Sequence, residues 1–404
     1  MGDYTFSIDK PVESYNRSDN SFLVSVIFML GFGLFTLYFC SQASGAKFFG
    51  DSFYFVRRQI ICILAGGAGF LVLSLVPMET IRKMIPALLF ITIILCICTY
   101  IKPLSVERNG ARRWLKIPFG GFTLQTSEVV KFTLIIFLSN FFEKYSSKPD
   151  SEDKSVLGAV AVMVLLVGFV LTQKDLSTSV FLYFFACGFF WCCGMKVRWF
   201  WFLSFIVMLL FCFYVLNQQY RIERIISFMN PNEGLTAGNF QSMSAKRAIS
   251  AGGFWGAGIG SSLVQSNKIP EVQADYIFAS WAEAMGLGGV IIYFCILGFF
   301  ALRGLKVAFE CTDRFASYVS FGFISMIVLQ SLVNIAVVCG ALPTTGIPLP
   351  FFSSGGSSEI FSLCMCGFVL NASRCNSENE NDVVKIKNDD FIKVDTINGV
   401  DVYE

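Results

Sequence analysis

The chain has 404 residues, of which 54% are hydrophobic and 15% charged, against about 25% charged in an average soluble domain. Lys and Arg number 31 and Asp and Glu 29, leaving +2; with no basic domain, these values exclude a disordered chain, a soluble enzyme and a nucleic-acid binder, so no nucleic-acid partner is expected. The absence of histidine removes Ser-His-Asp triads, Cys-His dyads and His-ligated metals together.

Residues 1–21 carry four acids and two bases. They read as a polar N-terminal tail on the cytoplasmic side, without the basic n-region of a signal peptide. A spanning helix needs about 20 apolar residues. Ten such segments are expected, at 22–40, 57–76, 84–101, 125–142, 156–172, 178–194, 198–217, 277–302, 316–338 and 353–372. The expected fold class is therefore an all-α polytopic membrane protein with about ten transmembrane helices. Its membrane domain would run over 22–372, with one large extracytoplasmic loop at 218–276 between helices seven and eight. That loop mixes aromatic, apolar and glycine residues, so it should fold onto the membrane domain. Residues 373–404, with eight acids and four bases, read as a mobile cytoplasmic tail.

With both termini inside, inner segments hold 16 Lys and Arg and outer loops 14, so the positive-inside rule does not fix the orientation. Ten of the outer bases lie in 102–116 and 218–276. Bases placed against the topological bias point to an anionic ligand at that face. The 14 cysteines lie mostly inside apolar runs without a CxxC pair, and read as small lipid-compatible side chains rather than disulfides.

In chain order, the first candidate site residues are Arg112 and Arg113, before Trp114. Adjacent guanidinium groups suit phosphate, but they equally suit an interfacial anchor. Glu128 and Lys131, at the start of the fourth span, are three residues apart and share a helix face. They read either as a packing ion pair or as the wall of a polar cavity. Asp175 lies in the short turn between spans five and six. Gln241, Arg247 and Lys268 belong to the long loop, as does a glycine run, 252–260, that could offer N–H groups to an anion. Asp275 stands at the mouth of span eight. A partly desolvated carboxylate there can act as a general base, or can simply cap the helix. Before span ten, 343–358 is too rich in proline and glycine for a regular helix. Such backbone survives at membrane depth only where protein or a cavity covers it; Ser354 is its candidate ligand. Chance matches to S-x-x-K at Ser44 and Ser151 lack the companion K-T-G, so no transpeptidase is expected.

Taken together, these segments resemble the SEDS family (shape, elongation, division and sporulation), the glycosyltransferases that include FtsW and RodA. The matching stretches are NGARRW at 109–114, LQTSEVVK at 124–131, QKDLS at 173–177, GG-x-x-G-x-G at 252–258, KIPE-x-x-x-DYIFA at 268–279 and TGIPLPFFSSGGSS at 345–358. They stand in family order across 22–372. The paired arginines, the polar N-terminal tail and the length resemble the FtsW branch more than the RodA branch. Thr126, Lys174, Ser177, Ala274, Ala284 and Ser354 depart from the family pattern, which puts local loop geometry in question.

The resemblance implies polymerisation of lipid II into peptidoglycan glycan strands during cell division, with a lipid-precursor flippase or a RodA-type polymerase as the alternatives. It implies Asp275 as the catalytic base. Arg112, Arg113, Glu128, Lys131, Asp175, Gln241, Arg247, Lys268 and Ser354 would hold the substrate and its pyrophosphate. A divalent cation, Mg or Mn, is a candidate aid to the leaving group, and no organic cofactor is expected. The implied partners are a class B penicillin-binding protein transpeptidase and other divisome membrane proteins. The implied location is the bacterial inner membrane, at the division septum. Glycines 286, 288, 289 and 298 in span eight are candidates for the partner contact, with internal packing as the competing reading.

Overall fold

The computed structural model describes residues 18–108, 110–117, 121–147, 152–193, 228, 237–259, 269–375, 393–397 and 400–403. The expected seventh span, residues 218–227, 229–236 and 260–268 of the long loop, and with them Lys268, lie outside the described residues.

The chain opens with α1 (Asn20–Phe49), capped by Asp19, whose Oδ1 accepts from the Ser21 and Phe22 N–H groups at 2.8 and 3.1 Å. Asp19 also pairs with Arg303 at 2.6 Å. Burial pushes its carboxyl up, but the Arg303 guanidinium and the capping N–H groups together hold it below the usual carboxylate range. Next come α2 (Tyr54–Leu75) and α3 (Met78–Cys98). A three-stranded antiparallel sheet follows: β1 (Ser105–Arg108), β2 (Ala111–Lys116) and β3 (Thr123–Gln125). The segment before span four is thus a sheet as well as a connection. Arg108 faces Ala111 across a two-residue turn and Gly110 has φ +72. The sequence signal was Asn109-Gly110, the strongest short hairpin pair.

The membrane part continues with α4 (Thr126–Ser147), α5 (Glu152–Thr172) and α6 (Leu176–Cys192). After α7 (Ala237–Gly252) and the single turn α8 (Val272–Asp275) come α9 (Ile277–Glu310), α10 (Arg314–Val338) and α11 (Gly356–Ala372). Among the described residues, α1, α2, α3, α9 and α10 are long and apolar enough to cross a bilayer. In the tail, β4 (Lys393–Ile397) and β5 (Val400–Tyr403) pair as a local hairpin. Among the described residues the cysteines are free thiols.

Small residues let α2 and α11 approach closely; a Cβ on Gly367 would stand 2.4 Å from the Phe70 carbonyl oxygen. Outward-facing Leu64, Leu71, Phe90 and Leu302 are 60–70% exposed. That inverts the pattern of a water-soluble bundle and suits lipid as the solvent.

The most consequential irregularity is inside α9. Gly286 has φ +61 and ψ −157 and breaks the helix. The 253–258 loop is spliced into the break. Ala257 and Gly258 N–H donate to the Glu283 and Ala284 carbonyls at 2.8 and 3.1 Å. Leu287 and Gly288 N–H donate in turn to the Gly253 and Phe254 carbonyls at 3.0 and 3.5 Å. The four main-chain groups that a broken helix strands are thus satisfied by another segment. Two N–H groups of the glycine run that might have faced an anion are used here instead. A Cβ on Gly286 would lie 2.4 Å from the Gly256 nitrogen. Replacing Gly286 by Ala is expected to cost at least about 3 kcal/mol, from a dihedral pair open only to glycine plus the collision. A fall in the melting temperature of the purified protein checks it.

The same geometry reassigns two of the four glycines read as partner contacts. Gly286 meets the 254–256 loop. A Cβ on Gly289 would run into the Met285 and Trp281 side chains, and the Gly289 carbonyl accepts from Trp281 Nε1 at 2.8 Å. Gly288 and Gly298 face open space.

Candidate active site

Asp275 is the last residue of α8, and the N-cap of α9 is Tyr276, which makes no side-chain cap. The Asp275 main chain is clamped: Asn334 Nδ2 donates to the Asp275 carbonyl at 2.9 Å and to the Ile347 carbonyl at 2.8 Å. The carboxylate is partly exposed and lies against the 343–355 loop; Oδ2 is 3.3 Å from where a Cβ on Gly346 would be. Ser354 meets the same segment through its main chain, its N–H donating to the Gln273 carbonyl at 2.9 Å.

One helical turn before Asn334 on α10 is Gln330. Its Nε2 donates to the Pro348 carbonyl at 2.9 Å, and its Oε1 accepts from Lys131 Nζ at 2.8 Å. Lys131 also pairs with Glu128 at 2.8 Å, and the two residues are 1% and 3% exposed. The pair faces the protein interior rather than lipid. A continuous polar path therefore runs from Glu128 through Lys131 and Gln330 to the proline-rich loop, and from that loop through Asn334 to Asp275. Burying charge is tolerable only when it is paired and hydrogen-bonded in this way.

A second cluster lies between the sheet and the α5–α6 turn. Arg113 Nη1 pairs with Asp175 Oδ1 at 2.9 Å, and its guanidinium lies 4.4 Å from the Trp114 ring centre. The other Asp175 oxygen accepts from Gln125 Nε2 at 3.4 Å, and Oδ1 also accepts from the Thr178 N–H, capping α6. Thr126 donates to Gln173 Oε1 at 2.8 Å. That contact gives the hydroxyl at this family-divergent position a structural partner. Arg112 pairs at the surface with Glu107 at 2.9 Å. Gln241 is half-buried and Arg247 exposed on α7. The structure thus brings Asp275, Ser354, Glu128 and Lys131 into one connected region and places Arg113 with Asp175 in another. Arg112 and Arg113 both already hold carboxylates.

Asp175→Ala should remove the α6 cap, about 1 kcal/mol. It should also strand the partly buried Arg113 guanidinium, for a total of about 3 kcal/mol or more. Asp175→Asn, which keeps a cap acceptor, should recover only the smaller part; thermal melts of both variants check the split.

Sequence reasoning missed Gln330, Asn334 and Glu359. The available signal was an amide, an amide and a carboxylate inside apolar spans, two of them four residues apart. Polar groups are costly there and usually functional. Among the described residues, no three His, Cys, Asp or Glu side chains converge to hold a metal ion. No step is routed through a metal ion.

The cell cycle protein family model for FtsW, RodA and SpoVE matches residues 20–378. A relative from Trichlorobacter lovleyi, named probable peptidoglycan glycosyltransferase FtsW, is 31% identical over 351 residues, covering 87% of this chain and 92% of its own length. The stage V sporulation protein E of Bacillus subtilis is 32% identical over 352 residues, covering 87% and 96%. Among solved structures, one described as showing structural coordination of polymerization and crosslinking by a peptidoglycan synthase complex superposes with a TM-score of 0.73 at 23% identity, over 89% of this chain and 99% of that one. Its fold is shared by this protein. With the motif order and a family match over the whole of the 22–372 membrane domain, this chain belongs to the FtsW/RodA/SpoVE family of cell cycle proteins.

Proposed function

We propose that this protein is a peptidoglycan glycosyltransferase of the FtsW type, which polymerises lipid II into glycan strands for the division septum. The observation that carries the reading is Asp275. Its main chain is fixed by Asn334, while its carboxylate lies partly exposed against the 343–355 loop. Such a group is positioned to take a proton from a sugar hydroxyl. In this step the acceptor 4-hydroxyl oxygen bonds to the anomeric carbon of the donor chain. Its proton passes to Asp275, and the bond to undecaprenyl diphosphate breaks with the electron pair leaving on the diphosphate.

The protein would span the bacterial inner membrane ten times with both termini cytoplasmic, and place the 218–276 loop and Asp275 outside. A class B penicillin-binding protein would crosslink the product. Gly288 and Gly298, which face open space on α9, are the remaining candidates for close approach of its span. Other divisome membrane proteins would complete the assembly.

The test is product formation. Purified protein with its transpeptidase partner and lipid II should yield glycan polymer. Transbilayer movement of lipid II without polymer would instead make the protein a flippase.

A further inference from the structure

The start of α11 has an open cap. Its N-cap is Gly355, which offers no side-chain acceptor, and the first N–H groups of a helix have no intrahelical partner. Residues 354–357 are partly exposed. Ser358, in the first turn, is only 5% exposed, and its Oγ has no hydrogen-bond partner among the described residues. The Ser358 Cβ lies 3.5 Å from where a Cβ on Gly355 would be, so the hydroxyl stands beside the open cap.

Opposite is α2. A Cβ on Gly356 would lie 3.1 Å from Cys62 Sγ. One turn before Cys62, on the same face, is Arg58. Its guanidinium donates only to neutral oxygens, the Tyr54 hydroxyl at 3.2 Å and the Gly121 carbonyl at 3.3 Å, and lies 5.2 Å from the Phe122 ring centre. Unlike Arg112, Arg113 and Arg303, it has no carboxylate partner among the described residues. The nearby acid, Glu359, is buried; its Oε2 accepts from Gln59 Nε2 at 3.2 Å, and its Oε1 has no hydrogen-bond partner among the described residues.

We infer that this corner, formed by the main-chain N–H groups of 356–358, the Ser358 hydroxyl and the Arg58 guanidinium, binds the diphosphate of a polyprenyl diphosphate. The inference rests on the glycosyltransferase reading and gives its leaving group a seat. A helix N-terminus supplies convergent donors and a positive dipole end, and arginine supplies a planar fork for two phosphate oxygens. The corner adjoins the proposed base, since Ser354 N–H bonds the Gln273 carbonyl two residues before Asp275. A serine at this depth with no partner then has a purpose, because buried hydroxyls are normally satisfied.

The test uses the full-length protein in nanodiscs of neutral lipid, with farnesyl diphosphate as the probe and binding read by calorimetry. Gly355→Asp installs a permanent cap at a position whose nearest neighbour would be an ordinary contact away, 3.5 Å. It should weaken probe binding at least about tenfold while the melting temperature holds or rises. Arg58→Gln should lose a similar factor. Gly355→Ala, which adds bulk without an acceptor, should stay within about threefold of wild type. Farnesol should bind all four proteins alike. Wild-type affinity in both Gly355→Asp and Arg58→Gln overturns the assignment. So does competition by phosphatidylglycerol added to the nanodiscs, which would make the corner a lipid headgroup site. Probe binding needs no turnover, so a wild-type protein that binds the probe yet makes no polymer sinks the transferase reading and leaves this one standing.

Discussion

Asp275→Asn is expected to lower glycan polymerisation by at least about 100-fold, the smaller end of what a general base supplies. Asparagine has nearly the same shape. The clamp on this residue runs from Asn334 to the main-chain carbonyl, not to the carboxylate, so the substitution should leave the α8–α9 corner in place. Melting temperature and yield should match wild type while turnover collapses. Asp275→Glu should also fail, although it keeps the charge. The carboxylate already lies against Gly346, with Oδ2 only 3.3 Å from the position of a Cβ there. An extra methylene must displace either the loop or the proton acceptor, and misplacement of about 1 Å can cost 100-fold. Polymer would be followed by gel after lipid II addition, with the transpeptidase partner present in both arms. If Asp275→Asn kept more than about a tenth of the wild-type rate, the base would have to be sought elsewhere.

The parts that were legible in the sequence are those set by composition and local pattern. Apolar runs located the helices, because only a helix satisfies its own backbone in lipid. Glu128 and Lys131 were visible as a pair because three residues on a helix is a contact distance. The links that turn this pair into part of a site were not visible. Gln330 is 199 residues from Lys131 in sequence and Asn334 is 59 from Asp275, and the acceptors of both amides are carbonyls of Pro348, Ile347 and Asp275, which carry no side-chain signature. The splice at Gly286 was hidden for the same reason, since main-chain bonds leave only a glycine behind. Adjacent guanidinium groups before a tryptophan resemble a phosphate site, and their ion pairs with Glu107 and Asp175 could not be read from the sequence. Arg58 lies next to Arg57 at the start of a span, and nothing in the local pattern singles it out. Only the packing of α2 on α11 sets it beside a helix N-terminus.

Lys131→Met is expected to destabilise the protein by about 3–5 kcal/mol, because Glu128 is left as a buried charge without its counter-ion. Glu128→Gln should cost a comparable amount by stranding the ammonium. The double variant Glu128→Gln with Lys131→Met removes both charges and should regain most of the melting temperature, since desolvating an ion pair offsets much of its attraction. Activity should not return with it. Lys131 Nζ also donates to Gln330 Oε1, and Gln330 in turn holds the Pro348 carbonyl. Without the ammonium, the Gln330 amide loses the charged donor that fixes its orientation, and its bond to the Pro348 carbonyl of the loop facing Asp275 is less firmly held. A charge-assisted bond of this kind is worth about 1.5–3 kcal/mol, which, if felt in the transition state, is a 10- to 100-fold effect. Recovery of stability without recovery of polymerisation would place the pair in the positioning of the site. Recovery of both would reduce Glu128 and Lys131 to a packing device and break the proposed path to Asp275.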